Sequence, residues 1–218
     1  MRGTIRIGGV PATKPAQPVK SDAEIETSDR AQHYVSRAAL KLVFALDGFG
    51  IPVTGLNCLD IGASTGGFTQ VLLDRSAAHV TAIDVGHGQL ADVLRGDARV
   101  TAIEGLNARD LNADHLRRAP QLIVSDVSFI SLRLALPPAL ELAESGAYLV
   151  ALIKPQFEAG RERIGKGGIV SDPAVRNEIC DGMSAFLSER KWQVMGIVPS
   201  PITGGDGNEE FLIAARKP

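Results

Sequence analysis

The chain has little of what marks a secreted or membrane-spanning protein. It holds only two cysteines, Cys58 in a strand-like run and Cys180 in a helix-like one, and neither has a Cys or His neighbour at metal-binding spacing. No window approaches the roughly 18 continuous apolar residues of a spanning helix, and the N-terminus carries no apolar signal stretch. We therefore expect reduced, buried thiols, no metal, no membrane contact and a cytoplasmic location.

Bulk composition leaves most other classes open. With 218 residues, 44% hydrophobic and 22% charged, the chain is long enough for one ordinary domain and a small appendage. The net charge of −2 gives no global attraction to nucleic acid. Residues 1–41 hold seven Lys/Arg against four Asp/Glu, so this segment favours a polyanion modestly, although such an excess is also common on a solvated face.

Strand-like and helical patterns alternate from residue 58, which is typical of an α/β fold with a parallel sheet. Before them, a helical period begins at Ser36 and ends at Gly50, and a further helix runs from Pro173 to about Arg190. The predicted strands are 58–63, 79–85, 100–104, 122–127, 148–154, 193–198 and 211–216, and further helical segments lie near 67–75, 88–95, 112–118 and 133–144. The last two strands predict a hairpin at the sheet edge.

Asp126 and Lys154 each end an apolar run, and their separation fits two successive strands joined by a helix. Open α/β sheets place their chemistry at the carboxyl ends of parallel strands. A paired Asp and Lys there suggests a lysine held ready for proton transfer. Such a lysine needs its pKa lowered by burial or by a neighbouring cation, and Lys41 and Glu210 are the other charged residues set against apolar runs. Spacing alone leaves Glu209 as a near-equal candidate.

The segment from Leu59 to Phe68 runs from a strand into a helix through a glycine-rich turn. Its glycines are not spaced as in a dinucleotide fingerprint, and no Lys-Ser/Thr follows them as in a P-loop. Asp84 ends the next strand, where an acid can accept both hydroxyls of a ribose. Asn107 follows the third strand and could meet an adenine edge or serve only as a turn residue. This set favours S-adenosylmethionine over a dinucleotide.

Several long motifs closely resemble the TlyA or hemolysin A family of ribosomal RNA 2′-O-methyltransferases, part of the wider FtsJ-like group. The resemblance covers about residue 30 to the C-terminus. It rests on Tyr34-Val-Ser-Arg-Ala-Ala-Leu-Lys-Leu, Leu59-Asp-Ile-Gly-Ala-Ser-Thr-Gly-Gly-Phe-Thr, Asp84-Val-Gly-His-Gly-Gln-Leu, Ser125-Asp-Val-Ser-Phe-Ile-Ser-Leu, Ala151-Leu-Ile-Lys-Pro-Gln-Phe-Glu-Ala-Gly-Arg and Ser200-Pro-Ile-Thr-Gly.

The resemblance implies a Rossmann-like class I methyltransferase: a mostly parallel seven-stranded sheet with an antiparallel C-terminal hairpin and helices on both faces. It also implies methyl transfer from S-adenosylmethionine to a ribose 2′-hydroxyl of ribosomal RNA, with cytidine of the 16S or 23S RNA, or of both, as the expected target. Ribosomal RNA or a ribosomal subunit is then the expected partner. The catalytic tetrad of the family corresponds to Lys41, Asp126, Lys154 and Glu210.

Two further groups of site residues follow from the motifs. The expected cofactor-binding residues are Asp60, Gly62, Ala63, Ser64, Thr65, Gly66, Gly67, Phe68, Asp84, Val85, Asn107 and Asp126. The glycine-rich, aperiodic loop 156–172 is typical of a functional loop, and its cations could grip RNA phosphates, although a solvated loop is the alternative. The expected RNA-binding residues are Arg37, Arg161, Arg163 and Lys166.

The N-terminal segment departs from the family pattern. The family carries a complete S4 RNA-binding domain before a linker, whereas residues 5–26 resemble only its second half. We interpret residues 1–28 as a partial S4-like RNA-binding segment, 29–35 as a linker and 36–218 as the FtsJ-like methyltransferase domain. Either a shortened form or a variant with a weaker grip on RNA would account for the difference, and cofactor binding should survive in both.

Three other functions are alternatives to RNA methylation. A ribosome-assembly module could bind the cofactor and RNA without turnover, and would methylate no ribosomal RNA. A membrane-active hemolysin would make liposomes leak, but no basic amphipathic helix rich in aromatic residues is visible. A small-molecule methyltransferase would need neither the basic loop nor an S4-like segment.

Overall fold

The computed structural model of the chain describes residues 5–14, 17–27, 30–204 and 207–218, without the side chains of residues 27, 30, 31 and 161. Ten strands occur in this part of the chain. They are β1 (Ile5–Ile7), β2 (Val10–Pro11), β3 (Ile25–Thr27), β4 (Asn57–Ile61), β5 (His79–Asp84), β6 (Val100–Glu104), β7 (Leu122–Ser125), β8 (Tyr148–Ile153), β9 (Gln193–Pro199) and β10 (Phe211–Arg216).

Seven α-helices connect or flank these strands. They are α1 (Ala39–Phe49), α2 (Gly67–Asp74), α3 (Asp92–Arg95), α4 (Leu132–Ala135), α5 (Pro137–Leu142), α6 (Pro155–Glu158) and α7 (Pro173–Glu189). Short 3-10 turns span Arg30–His33, Ala108–Asp110, Ala113–His115 and Arg161–Arg163. Asp172 caps α7 by accepting a hydrogen bond from the backbone N–H of Ala174, and Pro173 fills the first helical position.

The main sheet has seven strands in the order β6-β5-β4-β7-β8-β10-β9. The first five are parallel, and β10 runs antiparallel to both β8 and β9. The predicted parallel sheet with an antiparallel C-terminal hairpin is therefore confirmed. The last strand of the chain, β10, therefore lies between β8 and the edge strand β9.

Helices cover both faces of this sheet. On one face, α1 and α2 pack against alternate strand residues such as Val124 and Leu152. On the other face, α5 and α7 pack against the intervening residues, among them Ile123 and Leu149. Strands that are buried on both faces have continuous apolar sequences. For this reason these strands could be predicted from the sequence alone.

The strands β1, β2 and β3 form a separate small sheet of order β2-β1-β3, in which both pairings are antiparallel. Several of its apolar side chains, including Ile5, Val10 and Ile25, are exposed.

Three helical predictions are wrong in detail. The segment predicted near 88–95 is helical only in α3, from Asp92 to Arg95. Residues 112–118 form no α-helix, because Asn107 and Asn112 each accept a backbone hydrogen bond two residues on and start short 3-10 turns instead. The segment 133–144 is divided into α4 and α5, with Pro137 at the first position of the second helix. No helix in the described part of the chain is long and apolar enough to cross a membrane.

The central strands make a direct stability test. Leu149 is fully buried between the sheet and its helices, so we expect Leu149→Ala to lower the free energy of unfolding by about 2–5 kcal/mol through lost burial and a residual cavity. Denaturant unfolding monitored by circular dichroism measures this change. The matched control is Leu134→Ala, because Leu134 is exposed, and its effect should stay within about 0.5 kcal/mol. Equal losses in both variants would contradict the assigned core.

Candidate active site

Four charged side chains converge at the carboxyl edge of the sheet, beneath α1. Asp126, Lys154 and Glu210 each lie two residues from a strand side chain that packs against α1 and α2. Side chains alternate between the faces of a strand, so all three point to the same face. Lys41 belongs to α1, and its buried side chain points toward these three residues. The sequence-predicted tetrad is therefore brought together on one face of the sheet.

The Lys154 ammonium group is held from two sides. Its Nζ lies 2.8 Å from Asp126 Oδ1 and donates a hydrogen bond of 2.7 Å to Ser128 Oγ. The Lys154 side chain is only 10% exposed. Since both partners follow β7 and Lys154 follows β8, the pairing of these two strands fixes the position of the amine.

A second buried pair joins Lys41 to Glu210. Lys41 Nζ donates to Glu210 Oε2 at 2.5 Å, and both side chains are less than 10% exposed. Glu209 is placed differently: its carboxylate is largely exposed and pairs with Arg176 at 3.1 Å. Between the two glutamates that spacing left open, burial and pairing favour Glu210 as the residue of the site.

The register of β8 and β10 links the two pairs. Phe211 lies opposite Ile153, and the antiparallel register continued by one residue places Glu210 opposite Lys154. Residues that face each other across an antiparallel pair share one side of the sheet. The two lysines and two carboxylates thus form a single cluster.

Asp60 extends this cluster toward α2. It is fully buried, accepts a hydrogen bond of 2.6 Å from Thr69 Oγ1, and its Oδ1 has no hydrogen-bond partner within the described residues. Burial raises the pKa of Asp60 to about 7; the Thr69 hydrogen bond opposes this shift, and the nearby Asp126 carboxylate adds to it.

A cleft of about 740 Å³ opens beside the cluster, a size typical of sites for cofactors. A smaller cavity of about 180 Å³ contains Lys154 in its lining. Both cavities are lined by Gly62, Ser64, Asp126 and Ser128. A ligand in the larger cleft can therefore reach toward Lys154 past Asp126.

The glycine turn brings two strand ends close together. Gly62 has φ of +81°, and a Cβ there would lie 3.0 Å from Val127 Cγ1 and 3.1 Å from the Asp126 carbonyl oxygen. Glycine is therefore required for both conformation and space. Gly66 has another role: a Cβ there would overlap Leu94 and lie 2.7 Å from Leu90, so this glycine allows α2 to pack against the α3 region.

Asp84 fits the role of a ribose acceptor. Its Oδ2 accepts from the backbone N–H of Ser64 at 2.8 Å, and its Oδ1 accepts from that of Gly86 at 2.7 Å. Each carboxylate oxygen has a second lone-pair direction, so both can also accept from a ribose hydroxyl. Val85 lines the cleft with 68% of its surface exposed, which is suitable for contact with an adenine ring. The residues present thus fit an adenosine-containing cofactor.

The remaining predicted cofactor residues divide between the cavities. The smaller cavity is lined by Ala63, Thr65, Gly67 and Phe68. Asn107 lines the larger cleft, but its Oδ1 accepts hydrogen bonds from the backbone N–H and Nε of Arg109. Its contact with adenine stays a prediction, because part of its side chain caps a turn.

Sequence reasoning missed several residues of the cleft. Ser128 binds Lys154, and Phe129 lines the cleft with 91% of its surface exposed. The Phe129 backbone has φ of +64°, a conformation that is rare for a bulky residue and is often found at functional sites. Both residues belong to the motif Ser125-Asp-Val-Ser-Phe-Ile-Ser-Leu. The sequence therefore indicated this segment, but it did not predict that the Phe129 ring is exposed.

The predicted RNA-binding residues whose side chains are described do not share a hydrogen-bond or ion-pair partner. Arg37 and Lys166 are exposed, and Arg163 pairs with Glu178 at 2.8 Å. The Arg161 side chain lies outside the described residues. Asn208, two residues before Glu210, binds the loop 156–172 through its side chain. It accepts a hydrogen bond from the Val170 N–H at 3.2 Å and donates one to the Gly168 carbonyl at 3.1 Å.

Comparison with known proteins identifies the family. Residues 34–217 match the family of FtsJ-like methyltransferases. The chain belongs to the FtsJ-like methyltransferase family, in its TlyA branch. The relationship confirms the predicted family, fold and enzyme class, and S-adenosylmethionine is the methyl donor of this family.

Two curated relatives and one crystal structure define the branch. A Mycobacterium tuberculosis protein named 16S/23S rRNA (cytidine-2′-O)-methyltransferase TlyA is 46% identical over 98% of this chain and 80% of its own length. Hemolysin A of Brachyspira hyodysenteriae is 42% identical over 97% of the chain and 88% of its own length. A Lactococcus lactis protein with a provisional hemolysin name is 46% identical and superposes with a TM-score of 0.83 over 86% of this chain and 90% of that one.

Metal binding has no structural support in the part of the chain that is described. No group of three or more His, Cys, Asp or Glu side chains there is arranged to hold a metal ion. The two cysteines are free and buried, and burial raises the pKa of Cys58 to about 12 and that of Cys180 to about 11.

The raised pKa of Asp60 predicts a pH dependence of stability. Folded Asp60 holds its proton up to about pH 7, because its pKa is raised to that value, whereas the carboxyl of the unfolded chain has the ordinary aspartate pKa of 3.8. The folded state therefore binds more protons between these values, and its stability should fall as pH rises through this range. We expect the stability of Asp60→Asn relative to the wild type to rise from about pH 5 to about pH 7 and then to level off, in urea unfolding of the cofactor-free protein.

Asp97→Asn is the control for this experiment. Hydrogen bonds from Arg99 lower the pKa of the partly exposed Asp97 to about 2. The stability that ionised Asp97 contributes is therefore lost only in more acidic solution. The difference in unfolding free energy between Asp97→Asn and the wild type should stay constant over the same range. A constant difference for Asp60→Asn as well would contradict the protonated state of Asp60.

Proposed function

We propose that this chain transfers the methyl group of S-adenosylmethionine to a ribose 2′-hydroxyl of ribosomal RNA. The observation that carries the proposal is the buried Lys154–Asp126 pair at the point where the cofactor cleft meets a second cavity. A family of methyltransferases supplies the reaction class. The curated TlyA relative supplies ribosomal RNA and cytidine as the acceptor class.

In this proposal Lys154 acts on the acceptor hydroxyl. A ribose hydroxyl is a weak nucleophile, and it must meet the methyl group in line with the breaking carbon–sulfur bond. Lys154 would first release its own proton to water; the neutral amine would then accept the hydroxyl proton as the oxygen–carbon bond forms and the carbon–sulfur bond breaks, with S-adenosylhomocysteine as the leaving group. Asp126 and Ser128 hold the amine in the required position through contacts of 2.8 Å and 2.7 Å. The cofactor supplies the electrophilic methyl group.

Lys41 and Glu210 complete the acceptor site. Their pair neutralises both buried charges, which would otherwise be costly next to the sheet. Because Glu210 lies opposite Lys154 in the strand register, this pair borders the place of the ribose. We assign it the role of holding the ribose and tuning the local charge.

Recognition of RNA involves surfaces around the same edge. The exposed ring of Phe129, packed against Phe157 with centroids 5.1 Å apart, offers an aromatic face for an unstacked base. Arg37, Arg163 and Lys166 can contact phosphates. The small N-terminal sheet would act as a partial S4-like RNA-binding segment, residues 29–35 as a linker and 36–218 as the methyltransferase domain.

Incubation of the protein with labelled S-adenosylmethionine and separated ribosomal subunits tests the proposal. A mapped 2′-O-methyl group in 16S or 23S RNA is the expected product. Binding of the cofactor without any methylation of RNA or subunits would contradict it and favour an assembly module. Methylation of small molecules alone would point to the other enzyme class.

Lys154→Ala should abolish methyl transfer while the affinity for S-adenosylmethionine stays within a few fold of the wild type. The amine acts on the acceptor and not on the adenosine end of the cofactor. The substitution should therefore lower the transfer rate without weakening cofactor binding. Single-turnover transfer and calorimetric cofactor binding measure the two effects. Lys191→Gln, an exposed change at the end of α7, is the control and should be fully active. Undiminished transfer by Lys154→Ala would refute the role of Lys154.

Glu209 and Glu210 provide a matched pair of adjacent carboxylates. Glu210→Gln leaves Lys41 without its buried counter-charge, and we expect the transfer rate to fall by about a hundredfold or more. Glu209→Gln removes only the pair between the exposed Glu209 carboxylate and Arg176, and the rate should remain within about threefold of the wild type. Rate measurements at saturating cofactor and RNA compare the two. The opposite order of effects would assign the tetrad position to Glu209.

A further inference from the structure

The loop after β5, residues 85–90, forms one wall of the cofactor cleft. Val85, Gly86 and Gln89 line the cleft next to Asp84. The loop contains no strand or helix, so ladder hydrogen bonds do not hold it in place. Its shape must therefore be maintained by specific contacts.

Glu104, at the end of β6, supplies several of these contacts. Its Oε2 accepts from the N–H of Gly88 at 2.9 Å, and its Oε1 accepts from that of Gln89 at 3.1 Å, with Leu90 N at a longer 3.5 Å. Arg95 Nη2 donates to the same carboxylate at 2.8 Å. Hydrogen bonds to a charged acceptor are stronger than neutral ones. Glu104 thus gathers consecutive loop amides around one charge.

Two further contacts fix the loop against the strand after Glu104. The N–H of Gly105 donates to the Gly86 carbonyl at 3.1 Å. A Cβ at Gly105 would lie 2.7 Å from His87 Nε2, so the imidazole packs directly over this glycine. The loop is held at both its first and its last residues.

The anchored loop carries the Gln89 carboxamide to the ribose acceptor. A Cβ built at Gly86 would overlap Gln89 Nε2 and lie 3.2 Å from Asp84 Oδ1. The amide group of Gln89 and the carboxylate of Asp84 are therefore close neighbours in the cleft. An amide donor beside a carboxylate acceptor suits a vicinal diol, because each hydroxyl of a ribose both donates and accepts.

We propose that Gln89 contacts the ribose of the bound cofactor and that Glu104, which lies behind the loop, is the positioning residue that holds Gln89 there. This inference rests on the proposed cofactor and adds two residues to its site. Glu104 itself need not touch the cofactor. The hydrogen bonds from Arg95 and the loop lower the pKa of Glu104 to about 2, so the anchor remains charged over the working range of an enzyme.

The test compares binding of S-adenosylmethionine and S-adenosylhomocysteine to the purified full chain by calorimetry, without RNA. We expect Glu104→Gln and Gln89→Ala each to weaken both ligands by about tenfold, because one well-placed hydrogen bond to a charged or buried partner is of that order. The double variant should be no weaker than the weaker single variant, since Glu104 acts through Gln89. In transfer assays the KM for the cofactor should rise and kcat should stay unchanged.

Arg95→Gln is the matched control for Glu104→Gln. It removes the ion pair with the partly exposed Arg95 but leaves the Glu104 carboxylate to bind the loop amides, so cofactor affinity should change by less than about twofold. Thermal unfolding of the cofactor-free variants shows whether each one folds. Glu104→Asp serves as a second variant if Glu104→Gln fails to fold, with weakened binding of both ligands again expected.

Three results would overturn the inference. They are full affinity in Glu104→Gln, independent and additive losses in the double variant, or an equal loss in Arg95→Gln. Failure of the proposed function looks different: a wild type that binds the cofactor but methylates no RNA removes the proposed reaction and leaves this inference standing. A wild type that binds neither ligand overturns both.

Discussion

Burial of two lysine–carboxylate pairs is the constraint on which the rest of this structure depends. Removing charges from water costs more than a poorly placed partner returns. Lys41 and Lys154 are nevertheless almost fully buried, each within 2.8 Å of a carboxylate oxygen. The cost is offset only if α1, β7, β8 and β10 are held in one arrangement, so the chemistry of the site and the packing of the sheet depend on the same contacts.

The cofactor cleft is coupled to this cluster through the ends of two strands. At Gly62 the chain passes so close to the Asp126 carbonyl that a side chain would have no space. Asp126 consequently faces both the cleft and Lys154. The methyl-transfer site of the proposed reaction lies at this junction, where a cofactor held by Asp84 and an acceptor held by the lysine pairs would meet.

The same principle of anchoring recurs farther from the centre. Asn208 uses both ends of its buried amide to bind the backbone of the loop 156–172, two residues before Glu210. Glu104 gathers the loop that lines the adenosine end of the cleft. In both places an irregular segment is ordered by one polar side chain that satisfies its backbone groups. Such contacts allow loops to carry functional groups without the support of a helix or strand.

The sequence by itself determined the strands, the glycine turn and the acidic and basic residues at the strand ends, because apolar runs and their interruptions are local patterns. It also indicated the tetrad, through motifs that place Asp126 and Lys154 after buried strands. Only the tertiary structure showed that Glu210 is the buried partner of Lys41 whereas Glu209 is exposed, and that Gln89 lies beside Asp84. The burial of Glu210 and the position of Gln89 depend on strand register and on contacts between distant segments, which no local pattern of residues encodes.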